Sequence, residues 1–431
     1  MKNVILILVL LPLSFSKAFA FSWDDVVSFK TGSGFDVMLL ENHELPIISM
    51  EILLKGQGYA TETKDKHGIT YLAMHLLNDR LTVANPDDFY NLIDQDGIVL
   101  SFSSDVDNSK VYIKSVSSKL MNALDYLHRL IINPSITDDA MKRSKDSIEA
   151  EVLHAEESPF FILSKKTSEF AFGKHPYGRV PYGDKNSRNS ITADNIKERV
   201  AAIFNTANMH ISVSGDVDSK VISMALDKYL GSIPKSSIST SKIVVPTLHK
   251  STIIEHFKYN VPQTAISFYA QGVSKSDANF YTATVLNEML GVGLSSRLMH
   301  EIRVKRGLVY SIGTSLVEKN LYSLLIGKCS TKDPEQTIDV IKSILKSFAS
   351  EELSDDEFND IKKNITNRFL MSLMDNKTIV MYLSSLQALK LPVTFLSNYT
   401  DNINKVKMHN AMKMAKSFLD PDAFTFVTVG N

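Results

Sequence analysis

The sequence predicts an α+β protein of two similar domains, each a mostly antiparallel sheet with helices packed on one face. Three observations carry that expectation. The chain has 431 residues, 44% hydrophobic and 22% charged, an ordinary globular balance in a length beyond what one core usually supports. A strand pattern recurs: Asn208-Met-His-Ile-Ser-Val-Ser-Gly-Asp-Val217 alternates into a Gly-Asp turn, and Asp422-Ala-Phe-Thr-Phe-Val-Thr-Val-Gly-Asn431 has the same strand and turn. A helix start recurs in the same order, with Thr137-Asp-Asp-Ala-Met-Lys142 and Ser354-Asp-Asp-Glu-Phe-Asn359 each opening a long helical pattern. Ser354 and Glu357 are spaced as a capping box, and the early acidic residues suit the helix dipole in both.

At the N-terminus, Lys2 precedes an apolar run from Val4 to Leu13, and Ala18-Phe19-Ala20 is the small-x-small pattern that signal peptidase cuts. Residues 1–20 are therefore expected to be a signal peptide cleaved after Ala20, with a retained anchor as the alternative. The run is about ten residues, short of the roughly 20 that span a bilayer as a helix, and no later run is long enough to cross. The expectation is an exported protein without a membrane span after cleavage, periplasmic or fully secreted. Loss of Lys2 and Lys17 takes the formal net charge from −1 to −3 (−1 minus 2), and nothing in that balance points to nucleic acid. Cys329 is the single cysteine, so the fold rests on packing rather than on an internal disulfide.

The mature chain is expected to divide into an N-terminal domain over 21–234, a linker over 235–250 and a C-terminal domain over 251–431. The linker reading rests on Lys235-Ser-Ser-Ile-Ser-Thr-Ser-Lys242 between Pro234 and Pro246. Period-2 segments Phe35 to Leu40 and Ile47 to Leu54, joined by the turn-like Glu41-Asn-His-Glu44, predict a hairpin. The Gly56-Gln-Gly58 loop follows, then a helix from about Gly68. Gly173-Lys-His-Pro-Tyr-Gly178 reads as a tight Pro/Gly turn, and nothing at metal-binding spacing surrounds His175.

The run His67-Gly-Ile-Thr-Tyr-Leu-Ala-Met-His-Leu-Leu77 resembles the zinc-motif helix of the pitrilysin or insulinase-like (M16) peptidases. The family pattern there is Gly-hydrophobic-x-His-hydrophobic-x-Glu-His. Its two His lie four apart on one helix face and share a zinc, and its Glu activates the zinc-bound water. On that pattern Tyr71 stands at the first His, Met74 at the Glu and His75 at the second His. A thioether accepts no proton, and a phenol with a pKa near 10 is not a usual zinc ligand. The resemblance puts the third ligand at Glu151, with Ser144 at a supporting position seven residues earlier. His75 and Glu151 are thus vestigial metal positions; His67 and His154 lack the spacing to replace the missing ligand.

The second half contains Gly291-Val-Gly-Leu-Ser-Ser-Arg-Leu-Met-His-Glu-Ile-Arg-Val-Lys-Arg-Gly-Leu-Val-Tyr-Ser311. Locally it predicts a Gly turn, a helix capped by Ser295 and ended by Gly307, and a strand from Leu308. It resembles, without gaps, the family's C-terminal signature. There an Arg and a Tyr seven residues apart reach the zinc site of active relatives, holding substrate backbone and stabilising an oxyanion. Arg303 and Tyr310 match that pair. The bland alternative is a surface helix cation and a strand core residue.

A lost catalytic half-site with a kept arginine-tyrosine half-site implies a fold like that of the mitochondrial processing peptidase. It also implies the role of the non-catalytic, substrate-binding subunit in the family's heterodimers. The expected partner is a catalytic subunit with an intact His-x-x-Glu-His, the expected substrates are peptides or small unfolded proteins, and zinc is expected in the partner with no cofactor in this chain alone. The alternatives are a binding or structural homologue without enzymology, and an active zinc peptidase with substitute ligands.

Overall fold

The computed structural model describes residues 22–235, 243–350 and 354–431. The expected signal peptide and most of the Ser/Lys-rich stretch at the expected domain junction lie outside the described residues. Eleven strands fall into two sheets among these residues. The first holds β1 (Val27–Lys30), β2 (Asp36–Glu41), β3 (Ile47–Leu54), β4 (Val99–Ser104), β5 (Ser109–Val116) and β6 (Met209–Gly215) in the order β1-β2-β6-β3-β5-β4. The second holds β7 (Glu255–Lys258), β8 (Thr264–Gln271), β9 (Val309–Lys319), β10 (Tyr322–Thr331) and β11 (Thr425–Gly430) in the order β7-β11-β8-β10-β9.

With β1 set aside, both sheets have the same topology: the closing strand lies second, parallel to the opening strand and antiparallel to the next. All other pairs are antiparallel. The repeated sequence pairs therefore occupy equivalent places. The expected hairpin does not form, because β6 inserts between β2 and β3. The physical reason is burial: β6 is covered on both faces along most of its length, so it takes a central position that a locally read turn does not reveal.

Each sheet packs its own helices on one face, as expected. In the first half, Met50, Ile52, Val111, Ile211 and Val213 share a core with Leu72 and Leu76 of α1 (Ile69–Asn78) and Ile148 of α2 (Asp138–Ala155). The opposite faces, which sequence reading left bare, are covered reciprocally by helices of the other half. α3 (Pro159–Phe172) lays Leu163, Ala171 and Phe172 against Ala265, Tyr269, Val427 and Val429 of the second sheet.

In the second half, Ile266, Phe268 and Phe426 meet Leu286 and Leu290 of α4 (Phe280–Gly291) and Ile365 of α5 (Asp355–Ser372). From this half, α6 (Asn376–Leu389) returns the cover: Leu383 and Leu386 pack with Leu40, while Gln387 and Asn376 take the hydroxyls of Ser212 and Ser214 at 3.0 and 3.1 Å. Alternation explains this split, since Ile211 and Val213 point to one face of β6 and Ser212 and Ser214 to the other. Each large apolar side chain buried this way stabilises by about 1.5–3 kcal/mol, so the halves hold one another.

Candidate functional site

Helix α1 starts where the chain makes it start. Gly68 has φ +95°, and a Cβ there would come within 2.6 Å of the Tyr182 carbonyl oxygen, so glycine is required at the entry. The Glu62 carboxylate, buried below the helix, accepts from the Gly68 and Thr70 amides at 2.8 Å each and contacts His67 Nδ1 at 2.9 Å. A carboxylate at a helix N-terminus satisfies orphan amides and suits the dipole. The helix then buries Leu72, Ala73, Met74, Leu76 and Leu77, leaving Tyr71 and His75, one turn apart, turned towards α2.

Thr137 caps α2 through its hydroxyl, and Ser144, Ser147 and Glu151 line the face opposite His75. Both ring nitrogens of His75 are engaged. Nδ1 lies 2.9 Å from Ser144 Oγ and 3.1 Å from Asp79 Oδ2, and Nε2 lies 3.1 Å from Glu151 Oε1. Glu151 also accepts from Ser147 Oγ at 3.3 Å and from Tyr71 Oη at 3.4 Å. Burial, then the neighbouring Glu151, pushes the Tyr71 pKa up, so the phenol stays a neutral donor rather than a phenolate ligand. Met74, expected from the sequence resemblance at the general-base position, is 3% exposed inside the first-half core.

These residues do not fit a zinc ion. His75 and Glu151 bond each other, Tyr71 between them is a neutral phenol, and the described residues contain no group of three His, Cys, Asp or Glu able to hold a metal. His67 is tied to Glu62 and His154 is exposed beside Glu157, so neither joins His75. His175 is a turn element: its Nδ1 accepts from the Tyr177 amide at 3.2 Å and its Nε2 lies 2.9 Å from the Val244 carbonyl. Asp79 and Ser147 were missed by sequence reading. The available signal was their four-residue spacing from His75 and Glu151.

The second cluster lies in the other half. Residues 297–304 are helical, and Met299–Val304 forms a π-helical turn in which the Lys305 amide reaches the His300 carbonyl at 3.0 Å. Ser295 is not the cap; Ser296 closes the preceding turn onto the Gly293 carbonyl at 2.8 Å, because the glycine turn runs one residue further than its pattern implied. Gly307, φ +64°, lets the chain reverse into β9. This places the Arg303 guanidinium over the Tyr310 ring at 5.1 Å, on the edge strand of the second sheet. Tyr310 is 81% exposed, so it is not a core residue. Glu301, the acid on this turn, is held by Lys305 and Arg306, whose contacts bring its pKa down to about 2. No carboxylate stands within ion-pair distance of Arg303 among the described residues, and no hydrogen bond joins this cluster to His75.

The chain matches the family description "Insulinase (Peptidase family M16)" over residues 38–185 and "Peptidase M16 inactive domain" over 190–365. It is similar to the non-peptidase homolog YmxG of Helicobacter pylori, 24% identical over 405 residues and covering 92% of this chain and 91% of that protein. It is also 20% identical to an uncharacterized zinc protease, YmxG of Bacillus subtilis, over 79% of this chain and 83% of that one. Its fold matches the crystal structure of a peptidase M16 inactive domain from Pseudomonas fluorescens with a TM-score of 0.86 at 21% identity, covering 94% of this chain and 97% of that chain. By its two sheets and both family matches, the chain belongs to peptidase family M16.

Proposed function

We propose that this protein is the non-catalytic, substrate-binding subunit of an exported, heterodimeric M16 zinc metalloendopeptidase that acts on peptides or small unfolded proteins. The observation that carries the reading is the contrast between its two sites. The His75 cluster satisfies its own donors and acceptors and lacks a base, whereas Arg303 and Tyr310 are free to contact another chain. A guanidinium and a phenol are suitable donors to a peptide carbonyl or to an oxygen gaining negative charge. In this role zinc and the general base belong to the partner, whose own helix carries an intact His-x-x-Glu-His. The name of the Helicobacter pylori relative, a non-peptidase homolog, agrees with a chain that does not hydrolyse alone.

The test takes the mature chain, residues 21–431, with metal analysis and peptide hydrolysis, alone and mixed with a co-encoded homologue that has the complete motif. No activity alone and activity on mixing that falls with Arg303→Ala supports the role. Zinc near one per chain with activity alone overturns it. Activity on mixing that ignores both Arg303→Ala and Tyr310→Ala would instead favour a binding or structural homologue.

A further inference from the structure

Between α4, α5, α6 and the helical segment 394–405 lies a cavity of about 310 Å³, lined by none of the residues of α1. Its walls are aromatic: Phe280, Phe369, Tyr382, Phe395 and Tyr399 line it, with Phe369 and Tyr399 rings 4.5 Å apart and Phe280 and Phe395 rings 5.7 Å apart. Two cations also line it, and their states differ. Arg368 forms a bidentate pair with Glu288 at 2.9 and 2.5 Å, so its charge is matched. Lys275 is only partly exposed, and its ammonium donates to the Ser385 hydroxyl at 3.2 Å. No carboxylate lies within ion-pair distance of it among the described residues. The acid that attracts it, Glu318, uses one oxygen to accept from Ser274 Oγ at 2.7 Å and from the Lys275 backbone amide at 3.0 Å, while its other oxygen is buried without a hydrogen-bond partner, so Glu318 attracts Lys275 without pairing with it directly. Burial lowers the Lys275 pKa, and a bound anion would reverse that.

An aromatic cavity with one half-sequestered ammonium that no carboxylate pairs with directly asks for an apolar ring and a single negative charge. We propose that this cavity binds a small aromatic monocarboxylate, its ring among the aromatic walls and its carboxylate on Lys275. A multiply charged phosphate would have to desolvate against aromatic walls with one free cation, and a quaternary ammonium would meet Lys275 and Arg368 rather than an open aromatic cage. The volume lies in the range of small-molecule sites, which are mostly apolar with a few convergent polar groups.

The test is calorimetric titration of the mature chain with 4-phenylbutyrate and with its neutral amide, 4-phenylbutyramide. The carboxylate should bind at least tenfold more tightly. Lys275→Met should bring the carboxylate to the affinity of the amide, Lys275→Arg should keep most of the preference, and Leu386→Trp, which fills the cavity, should abolish both. Equal affinities in the unaltered chain, no binding of either compound at millimolar concentration, or a preference that survives Lys275→Met would each overturn the proposal. Comparing amide affinities between the unaltered chain and Lys275→Met reports whether the cavity itself stayed folded.

Discussion

The His75 cluster in the first half and the Arg303–Tyr310 pair in the second sit in sheets of the same topology, yet they use their polar groups in opposite ways. Around His75, two serines, two carboxylates and a tyrosine bond one another, so the cluster is complete without a ligand. Around Arg303, the nearby acid is occupied by Lys305 and Arg306, and the guanidinium stacks on an exposed ring. A donor already satisfied inside the protein gains little from a substrate, whereas an exposed donor with no internal acceptor can exchange water for one.

Removing the free donor should have the largest effect on function. Arg303→Ala is expected to lower partner-assisted hydrolysis by about 10²–10³-fold, as loss of an oxyanion-type donor does. Stability should change by only about 0.5 kcal/mol, as for most surface positions. An unchanged rate with an unchanged melting curve would end the comparison. Next is the support of the closed site. Glu62→Ala strands the Gly68 and Thr70 amides and His67 Nδ1 in a buried place, at a cost of roughly 3 kcal/mol. Faster hydrogen exchange in the first turn of α1, with Arg303 function retained, is the expected signature.

A smaller effect is expected from reopening the site. Tyr71→His would place a second imidazole one turn before His75 and should raise zinc affinity by roughly tenfold or more, a gain held down because His75 and Glu151 must first release each other. Metal analysis after dialysis reads this. On the proposed reading no hydrolysis should accompany the metal, because the Met74 thioether cannot accept a proton; catalysis by this variant alone would show that the cluster is not as closed as its bonds imply. Smallest is a pH effect. The Tyr71 pKa is raised by burial, so between the ordinary phenol value near 10 and its folded value the unfolded chain loses this proton first. Stability from this group is thus present below about pH 10 and declines as pH rises through the folded pKa. Absorbance titration at alkaline pH should lose one late-ionising phenol in Tyr71→Phe.

Much of the fold was legible because its signals are local. The capping box at Ser354 and Glu357 forms as spaced, and α5 and α2 begin at the repeated helix starts. The repeated closing strands become β6 and β11 in equivalent places. Arg303 and Tyr310 could be paired from their spacing and surrounding residues. The hairpin between β2 and β3 was misread because strand pairing is non-local: a turn-like loop permits adjacency, but a strand buried on both faces can displace it. The Ser295 cap failed for a different reason: the glycine turn runs one residue further than its pattern implied, so Ser296 rather than Ser295 closes it onto the Gly293 carbonyl.

What the sequence determined by itself was therefore element identity and the duplication, because each depends on residue type and short-range spacing. What only the tertiary structure decided was the exchange of α3 and α6 across the two sheets, the bonding of His75 to Ser144, Asp79 and Glu151, and the placing of the Lys275 ammonium on Ser385 without a direct ion pair. These depend on which side chains from distant segments meet at bonding distance, and whether a polar group is satisfied is a property of its surroundings rather than of its own position in the chain.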